Sequence, residues 1–440
     1  MKIQPVKGTR DFYPPQMRLH NWIVGGWKEA SLRNGFEEYD GPIFEHLKMY
    51  EQKSGEEIAE QLFSFEDRGG RGLAIRPEIT PTLARMVNQR INSLPKPIKW
   101  FSVPRVCRAE RPQKGRLREF YQWNIDIIGV EEIVADAEVI LCAVDYLRQT
   151  GLTEKDIAVK ISSRKMLSRL LEACEIEQEL HTGIYAALDK KAKIPEEAFE
   201  KLLEEKLPDQ EKRQKLLEIF ATKQLSELQE NLQYSSEAAE AIDELVELFS
   251  LLESMGISEY CEFDIGIVRG LAYYTGMVFE IHDREGSLRA ICGGGRFDSL
   301  LKDFGGPSIP ATGMGMGDCV LEILLREKGL ISEEMPKPAA DYFIAVMDDE
   351  LVEVAAGLAA KLRLAGFSAE FSYKKAKMKK LMKQASEMKA EKCIILGGEY
   401  IENKQIVLKN METSEQRTAD YKQFCDELKF SEPNQENGEE

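Results

Sequence analysis

The sequence predicts an α+β protein of several domains: an antiparallel or mixed catalytic sheet, a helical insertion within it, and a C-terminal α/β module. Three observations carry that prediction. At 440 residues the chain exceeds what one ordinary core accommodates. Strand-like segments fill its first third, give way to Glu/Lys/Leu-rich helical periodicity over 153–256, and resume at Cys261. After the proline-containing link "SEEMPKPAAD", strand and helix patterns alternate.

Taken in order, apolar positions from Gln16 to Asn34 have helical spacing and stop near Gly35. "GFEEYDGPIFEHLKMYEQKSG" reads as a strand entering a loop, with Pro42 at a position only an edge or interface strand tolerates. "LAIRPEITPTLARMVN" reads as a strand, a turn at Pro77-Glu78, and a helix with Thr80 as N-cap and Pro81 at the first helical position. "PIKWFSVPRVCRAERPQKGRLREFYQWNIDIIG" is a long antiparallel hairpin with a charged tip. "EEAFEKLLEEKLPDQEKRQKLLEIF" and "SEAAEAIDELVELFSLLESM" are amphipathic helices. "DYFIAVM", a helix to Leu364, "FSAEFSY", a Lys-rich helix and "KCIILGG" form the last module, and "SEPNQENGEE" is a polar, disordered tail. The expected boundaries are 1–152 and 257–330 for the two parts of the catalytic domain, 153–256 for the insertion, 338–427 for the module and 428–440 for the tail.

Composition excludes several classes. No apolar run is long enough to span a membrane, and "MKIQPVKGTRDFYPP" lacks the apolar core of a secretion signal. Eight cysteines without a CxxC pair and only four histidines support neither a disulfide framework nor a zinc site. A cytoplasmic protein with no bound protein metal is expected. The net charge of −17 argues against general binding to phosphate backbones but leaves room for local basic patches.

Two such patches stand out. Arg105, Arg108, Arg111, Lys114, Arg116 and Arg118 crowd the hairpin tip against only Glu110 and Glu119, and guanidinium forks hold polyphosphates without titrating. The following "EFYQWNID" alternates Phe120, Gln122 and Asn124 on one face, an aromatic beside amides. The second patch is "YKKAKMKKLMKQ", with Lys374, Lys375, Lys377, Lys379, Lys380 and Lys383 around a stripe of Met378, Leu381 and Met382. It is either a solvated face or a nucleic-acid contact. "RPEIT" puts Glu78 and Thr80 at a strand end, able to meet an amino group or imidazole or merely to cap the helix. "CGGGRFDSLL" and "GMGMGD" are glycine-rich, but the latter lacks dinucleotide-fingerprint spacing. Close backbone approach is the better reading of both. "RGLAYYTGMVFE" sets Arg269 before the paired phenols Tyr273 and Tyr274 at the mouth of an apolar strand.

Together, "KGTRDFYP", "RAERPQKGRLREF", "RGLAYYTG" and "GGGRFDSLL" resemble the histidyl-tRNA synthetase family, a class II aminoacyl-tRNA synthetase family, in its motif order and over nearly the whole chain. The resemblance implies a class II antiparallel-sheet catalytic domain with a helical insertion and a C-terminal anticodon-binding α/β domain. It also implies that histidine, ATP with Mg²⁺ and tRNA(His) are the substrates, and that the chain forms a homodimer. Carried over by residue, it places Arg108 and Arg269 as the catalytic cations at the α-phosphate. Glu78, Ile79, Thr80, Gln122, Asp126, Tyr273 and Tyr274 would join them around histidine, with aspartate at 126 where the family usually has glutamate. Arg108, Glu110, Arg116 and Phe120 would bind ATP, and Lys375, Lys379, Lys380 and Lys383 would contact tRNA. Two positions depart from the pattern. Ala272 replaces an acid in "RGLAYY", and "GDCVL" leaves Val320 where an ATP-binding arginine is usual. Surplus cations, Arg296 and the hairpin-tip residues among them, are expected to compensate. The alternative left open is a non-catalytic relative that senses histidine or uncharged tRNA.

Overall fold

The computed structural model describes residues 3–51, 61–191, 194–231, 236–269, 273–332 and 339–428. Ala272, most of the proline link and all of the tail except Leu428 lie outside them. The chain divides into two units, Met1–Glu333 and Glu334–Glu440.

The first unit opens with α1 (Pro14–Arg33), which starts on prolines where no intrahelical donor is required. Its Leu19, Ile23, Trp27 and Ala30 are buried, and Gly35, with φ of 76°, turns the chain out of it. Next come β1 (Glu37–Glu38), β2 (Phe44–His46), α2 (Leu47–Glu51), β3 (Phe63–Glu66), β4 (Gly72–Ile75) and α3 (Thr80–Arg90). Thr80 does not cap α3. It is the helix's first residue, and Ile79 in the capping position makes no side-chain cap bond. The hairpin is β5 (Ile98–Ser102), β6 (Arg105–Cys107) and β7 (Glu119–Ile128), followed by α4 (Val134–Gln149).

Ile157–Ser163, inside the stretch read as helical from residue 153, is instead the strand β8. Its run "IAVKISS" is apolar and β-branched, and the strand β10 (Met277–Asp283) pairs along its whole length. The helices begin at Arg164: α5 (Arg164–Ala173), α6 (Gln178–Lys191), α7 (Glu196–Lys206), α8 (Gln210–Ala221), α9 (Leu225–Asn231) and α10 (Ser236–Ser254). The sheet resumes with β9 (Cys261–Phe263), β10, β11 (Cys292–Arg296) and β12 (Ala311–Gly317), with α11 (Leu300–Asp303) before β12 and α12 (Asp318–Glu327) after it.

Among the described residues the main sheet runs β1-β5-β7-β12-β11-β10-β8-β9, with β6 attached to β7. Only its outer pairs, β1–β5 and β8–β9, are parallel. Strands β2, β4 and β3 make a small separate antiparallel sheet. The core on one side of the main sheet gathers Ile79, Leu83, Val87, Tyr273, Tyr274, Val278 and Phe297. The tyrosine pair is therefore partly core, as its strand-like setting suggests, but its hydroxyls have further work.

The second unit has β13 (Tyr342–Val346), α13 (Val352–Leu364), β14 (Ala369–Phe371), α14 (Met378–Glu387), β15 (Lys392–Leu396), β16 (Gln405–Asn410) and β17 (Gln416–Asp420). Strand order is β14-β13-β15-β16-β17, parallel through β15 and antiparallel beyond. The fully buried Ile344, Val346, Ile394 and Leu396 explain the continuous apolar runs of its central strands.

Candidate active site

Neither glycine-rich stretch is a phosphate-binding turn. Both are central strands, and they pair so that Gly293 faces Gly315 and Gly295 faces Gly313. Strand register extends these rungs to Asn124 and Asp126 on β7, and to Glu280 and Val278 on β10. Directly opposed residues share a face, so a strip without side chains runs between two flanking strands that carry functional groups. Polar groups from β7, and Arg269 from the segment ahead of β10, lean into it. A Cβ on Gly293 would fall on the Arg269 guanidinium, one on Gly313 would meet the Asp126 carboxylate, and one on Gly315 would lie 2.7 Å from Gln122 Nε2. The glycines let polar side chains lie close over the sheet.

Arg269 is the cation at the centre of this arrangement. Its Nη1 donates to Glu280 Oε1 at 2.7 Å, and Glu280 Oε2 lies 2.9 Å from His282 Nε2. Burial works against the guanidinium's charge, but Tyr274 and Glu280 outweigh it and raise its pKa above the ordinary value. Burial likewise opposes the charge on Glu280. His282 and Arg269 prevail, and hold that carboxyl down to about 2. Arg269 adopts φ of 56°, the left-handed region that non-glycine residues enter at a cost. Glu280 is the site residue that sequence reasoning missed. Its signal is a carboxylate inside the apolar run "MVFEI".

Opposite stand two buried carboxyls. Glu78 accepts from the Tyr273 hydroxyl at 3.1 Å. Burial raises its pKa, partly offset by Arg108, Tyr273 and Arg269. Asp126 is pushed well above the usual carboxylate range by burial first and by Glu78 second. Glu78 Oε1, Asp126 Oδ2, Gln122 Oε1 and Arg269 Nε are all buried without a hydrogen-bond partner among the described residues. Leaving such atoms unpaired is costly, and a ligand with matching polar groups would relieve that cost. Tyr273 and Tyr274 sit with ring centroids 4.9 Å apart, and Arg269 lies 5.8 Å from the Tyr274 ring centre. Thr80 is buried at the start of α3, and the Ile79 side chain is wholly buried in the core.

Beside the carboxyls, Arg108 lies over the Phe120 ring at 5.3 Å and donates to the Pro77 carbonyl at 3.0 Å. Arg116 is paired with Glu110. Lys114 pairs with Glu327 at 2.8 Å, and Arg118 bonds the Glu110 carbonyl at 3.1 Å. Arg296 is not a surplus cation, because it is buried against Asp136, with further bonds to the Val130 and Glu132 carbonyls. Its charge is spent on joining β11 to α4. The hairpin tip meets α12 where the missing arginine would stand: a Cβ on Gly115 would lie 3.0 Å from Val320 Cγ2. Val320 is thus buried under the tip.

In the second unit, Lys379, Lys380 and Lys383 are exposed on α14, whose buried residues are Leu381 and Ala385. Met382 packs against that core, but Met378 is 37% exposed and falls off the stripe, because it is the helix's first residue. Lys375 precedes the helix and pairs with Asp349 at 3.2 Å, while Lys383 lies 3.6 Å from Glu387. Tyr373, 79% exposed, stands beside this basic surface.

The described residues contain no helix long and apolar enough to cross a membrane, and no cluster of three or more His, Cys, Asp or Glu placed to hold a metal. The family model for histidyl-tRNA synthetase matches residues 8–317, and that for an anticodon binding domain matches 341–430. The chain is 41% identical over 414 residues to a chloroplastic/mitochondrial histidine–tRNA ligase of Arabidopsis thaliana, covering 94% of this chain and 84% of that one. Among solved structures, a histidyl-tRNA synthetase from Nostoc sp. PCC 7120 superposes with a TM-score of 0.78 at 23% identity, over 97% of this chain and 99% of that one. An ATP phosphoribosyltransferase regulatory subunit/histidyl-tRNA synthetase from Bacillus halodurans C gives 0.71 at 24% identity, over 84% and 93%. By the family match over most of its length, this chain belongs to the histidyl-tRNA synthetase family.

Proposed function

We propose that the chain is a histidine–tRNA ligase, which joins histidine to ATP as histidyl-adenylate with release of pyrophosphate, then transfers histidine to tRNA(His) with release of AMP. The observation that carries this reading is Arg269, held charged over a side-chain-free strip and facing two buried carboxyls and two phenols. An amino acid brings a cation, an anion and a side chain, and this trough offers a complement to each. Glu78, beside Ile79 and Thr80, takes the α-ammonium group. Tyr273, Tyr274, Gln122 and Asp126 surround the imidazole.

The attacking carboxylate and the α-phosphate are both anionic, so Arg269 and Arg108 relieve their repulsion and stabilise the charge that develops in the transition state. Positioning and electrostatics supply the catalysis, and no side chain forms a covalent intermediate. Phe120 stacks on adenine, Glu110 and Arg116 face the nucleotide, and Mg²⁺ arrives with ATP on its phosphate oxygens. Lys375, Lys379, Lys380 and Lys383 meet tRNA. The exposed Ile43, Phe44 and Phe65 around the small sheet supply apolar surface for a homodimer. The enzyme works in the cytoplasm, where its substrates are.

Val320 favours the second reading, a non-catalytic relative, because it removes a nucleotide-binding cation. A C-terminal unit matched by an anticodon-binding family favours the ligase. With Arg296 engaged elsewhere, the compensating surface is the hairpin tip packed on Val320. Val320→Arg should therefore displace Gly115 and leave the KM for ATP unchanged or higher. A several-fold lower KM for ATP in pyrophosphate exchange would contradict that.

Asp126 gives a prediction with opposite signs for stability and binding. A carboxyl whose folded pKa is raised is most stabilising below its unfolded value of about 3.8, and stability declines as pH rises from there towards the folded value. At neutral pH, Asp126→Asn should therefore raise the melting temperature of the free protein by roughly 2–4 °C. It should weaken histidine about 10–100-fold, the worth of a charge-assisted hydrogen bond. Thermal melts with and without histidine, together with the histidine KM, check both halves.

A further inference from the structure

We infer that Arg164 is the positioning residue that holds Arg269 in its working conformation and ties it to the helical layer. One guanidinium serves three carbonyls of the segment that carries Arg269: Nε donates to Val268 at 2.8 Å, Nη2 to Arg269 itself at 2.6 Å, and Nη1 to Tyr274 at 3.3 Å. Both flanks of the segment, before Arg269 and after the tyrosine pair, are thus gripped by a single planar group. A left-handed arginine persists only where its surroundings over-determine it, and the bond to its own carbonyl is the most direct such constraint.

Arg164 is itself well fixed. It is the first residue of α5, Ser163 caps that helix by accepting from the Met166 amide at 3.1 Å, and the Arg164 amide donates to the Gly276 carbonyl at 2.9 Å. The Tyr185 ring of α6 covers the guanidinium at 5.6 Å. Arg164 therefore links β8, α5 and α6 to the backbone of Arg269. A lysine at this position offers a point charge and cannot reproduce a three-carbonyl fork.

The positioning claim stands on these contacts, and only its kinetic consequence rests on the reaction proposed above. Two readouts on the full-length protein separate them. In amide hydrogen exchange, Arg164→Lys should speed exchange of the peptide carrying Arg269 about tenfold or more while peptides from β11 and β12 stay as in wild type, a local rather than global loosening. In histidine-dependent ATP–pyrophosphate exchange, the same variant should lower kcat about 10–100-fold with the KM for ATP within about twofold, and should cost nothing further in an Arg269→Ala background, since coupled residues are non-additive. Arg164→Gln, neutral and shorter, should give the same pattern. Unchanged amide exchange around Arg269, or a full additional loss in the Arg269→Ala background, would overturn the inference. A wild-type protein without pyrophosphate exchange would instead count against the ligase reading, and amide exchange would still judge Arg164.

Discussion

Arg269→Ala is expected to lower histidine-dependent ATP–pyrophosphate exchange several hundredfold without unfolding the protein. Loss of one preorganised group at developing charge costs roughly 3–4 kcal/mol in the transition state. The structure adds two reasons to expect the upper part of that range. The guanidinium lies on the glycine strip itself, whose residues carry no side chain to substitute for it. Its removal also leaves Glu280 facing the trough with His282 as its one remaining partner among the described residues, which puts uncompensated negative charge near the incoming anions. Arg269→Lys should fail as well. A single ammonium group cannot keep the bond to Glu280 and also span a carboxylate and a phosphate. Exchange within a few-fold of wild type for the alanine variant would remove Arg269 from the mechanism.

Charge reversal of Lys379 and Lys380 in the full-length protein should raise the KM for tRNA(His) about tenfold or more while sparing pyrophosphate exchange. Both lysines are exposed on α14 and make no ion pair among the described residues, unlike Lys375 with Asp349 and Lys383 with Glu387. They are thus the lysines of α14 itself left to meet a phosphate backbone. Loss of two such contacts should flatten the dependence of log affinity on log salt by roughly 1–2 units. Aminoacylation kinetics at several salt concentrations make the check. An unchanged tRNA KM and salt slope would mean that the surface is merely solvated.

The candidate-site residues that could be read in the sequence are those whose chemistry is local. Arg269, Tyr273 and Tyr274 are neighbours in the chain, and Phe120, Gln122 and Asp126 follow a strand's alternation. What stayed hidden depends on long-range register. The meaning of Gly293, Gly295, Gly313 and Gly315 emerges only when β11 and β12 lie side by side between β7 and β10. Each stretch alone looks like a loop. Arg296 read as a spare cation because its partner, Asp136, is 160 residues away and buried with it. Glu280 and Arg164 matter through their contacts with Arg269, which is likewise a property of folding rather than of spacing. For the fold, β8 was absorbed into the helical stretch because it is a short apolar run directly ahead of amphipathic helices, and only its pairing with β10 marks it as a strand.

The most direct test of the ligase reading is ATP–pyrophosphate exchange by the purified full-length protein, with histidine and, separately, with other amino acids. The trough of Arg269, Glu78, Asp126 and the tyrosine pair predicts exchange that requires histidine and Mg²⁺ and is not supported by the other amino acids. Histidine binding without any exchange would contradict the ligase and identify the chain as a sensor built on the same fold.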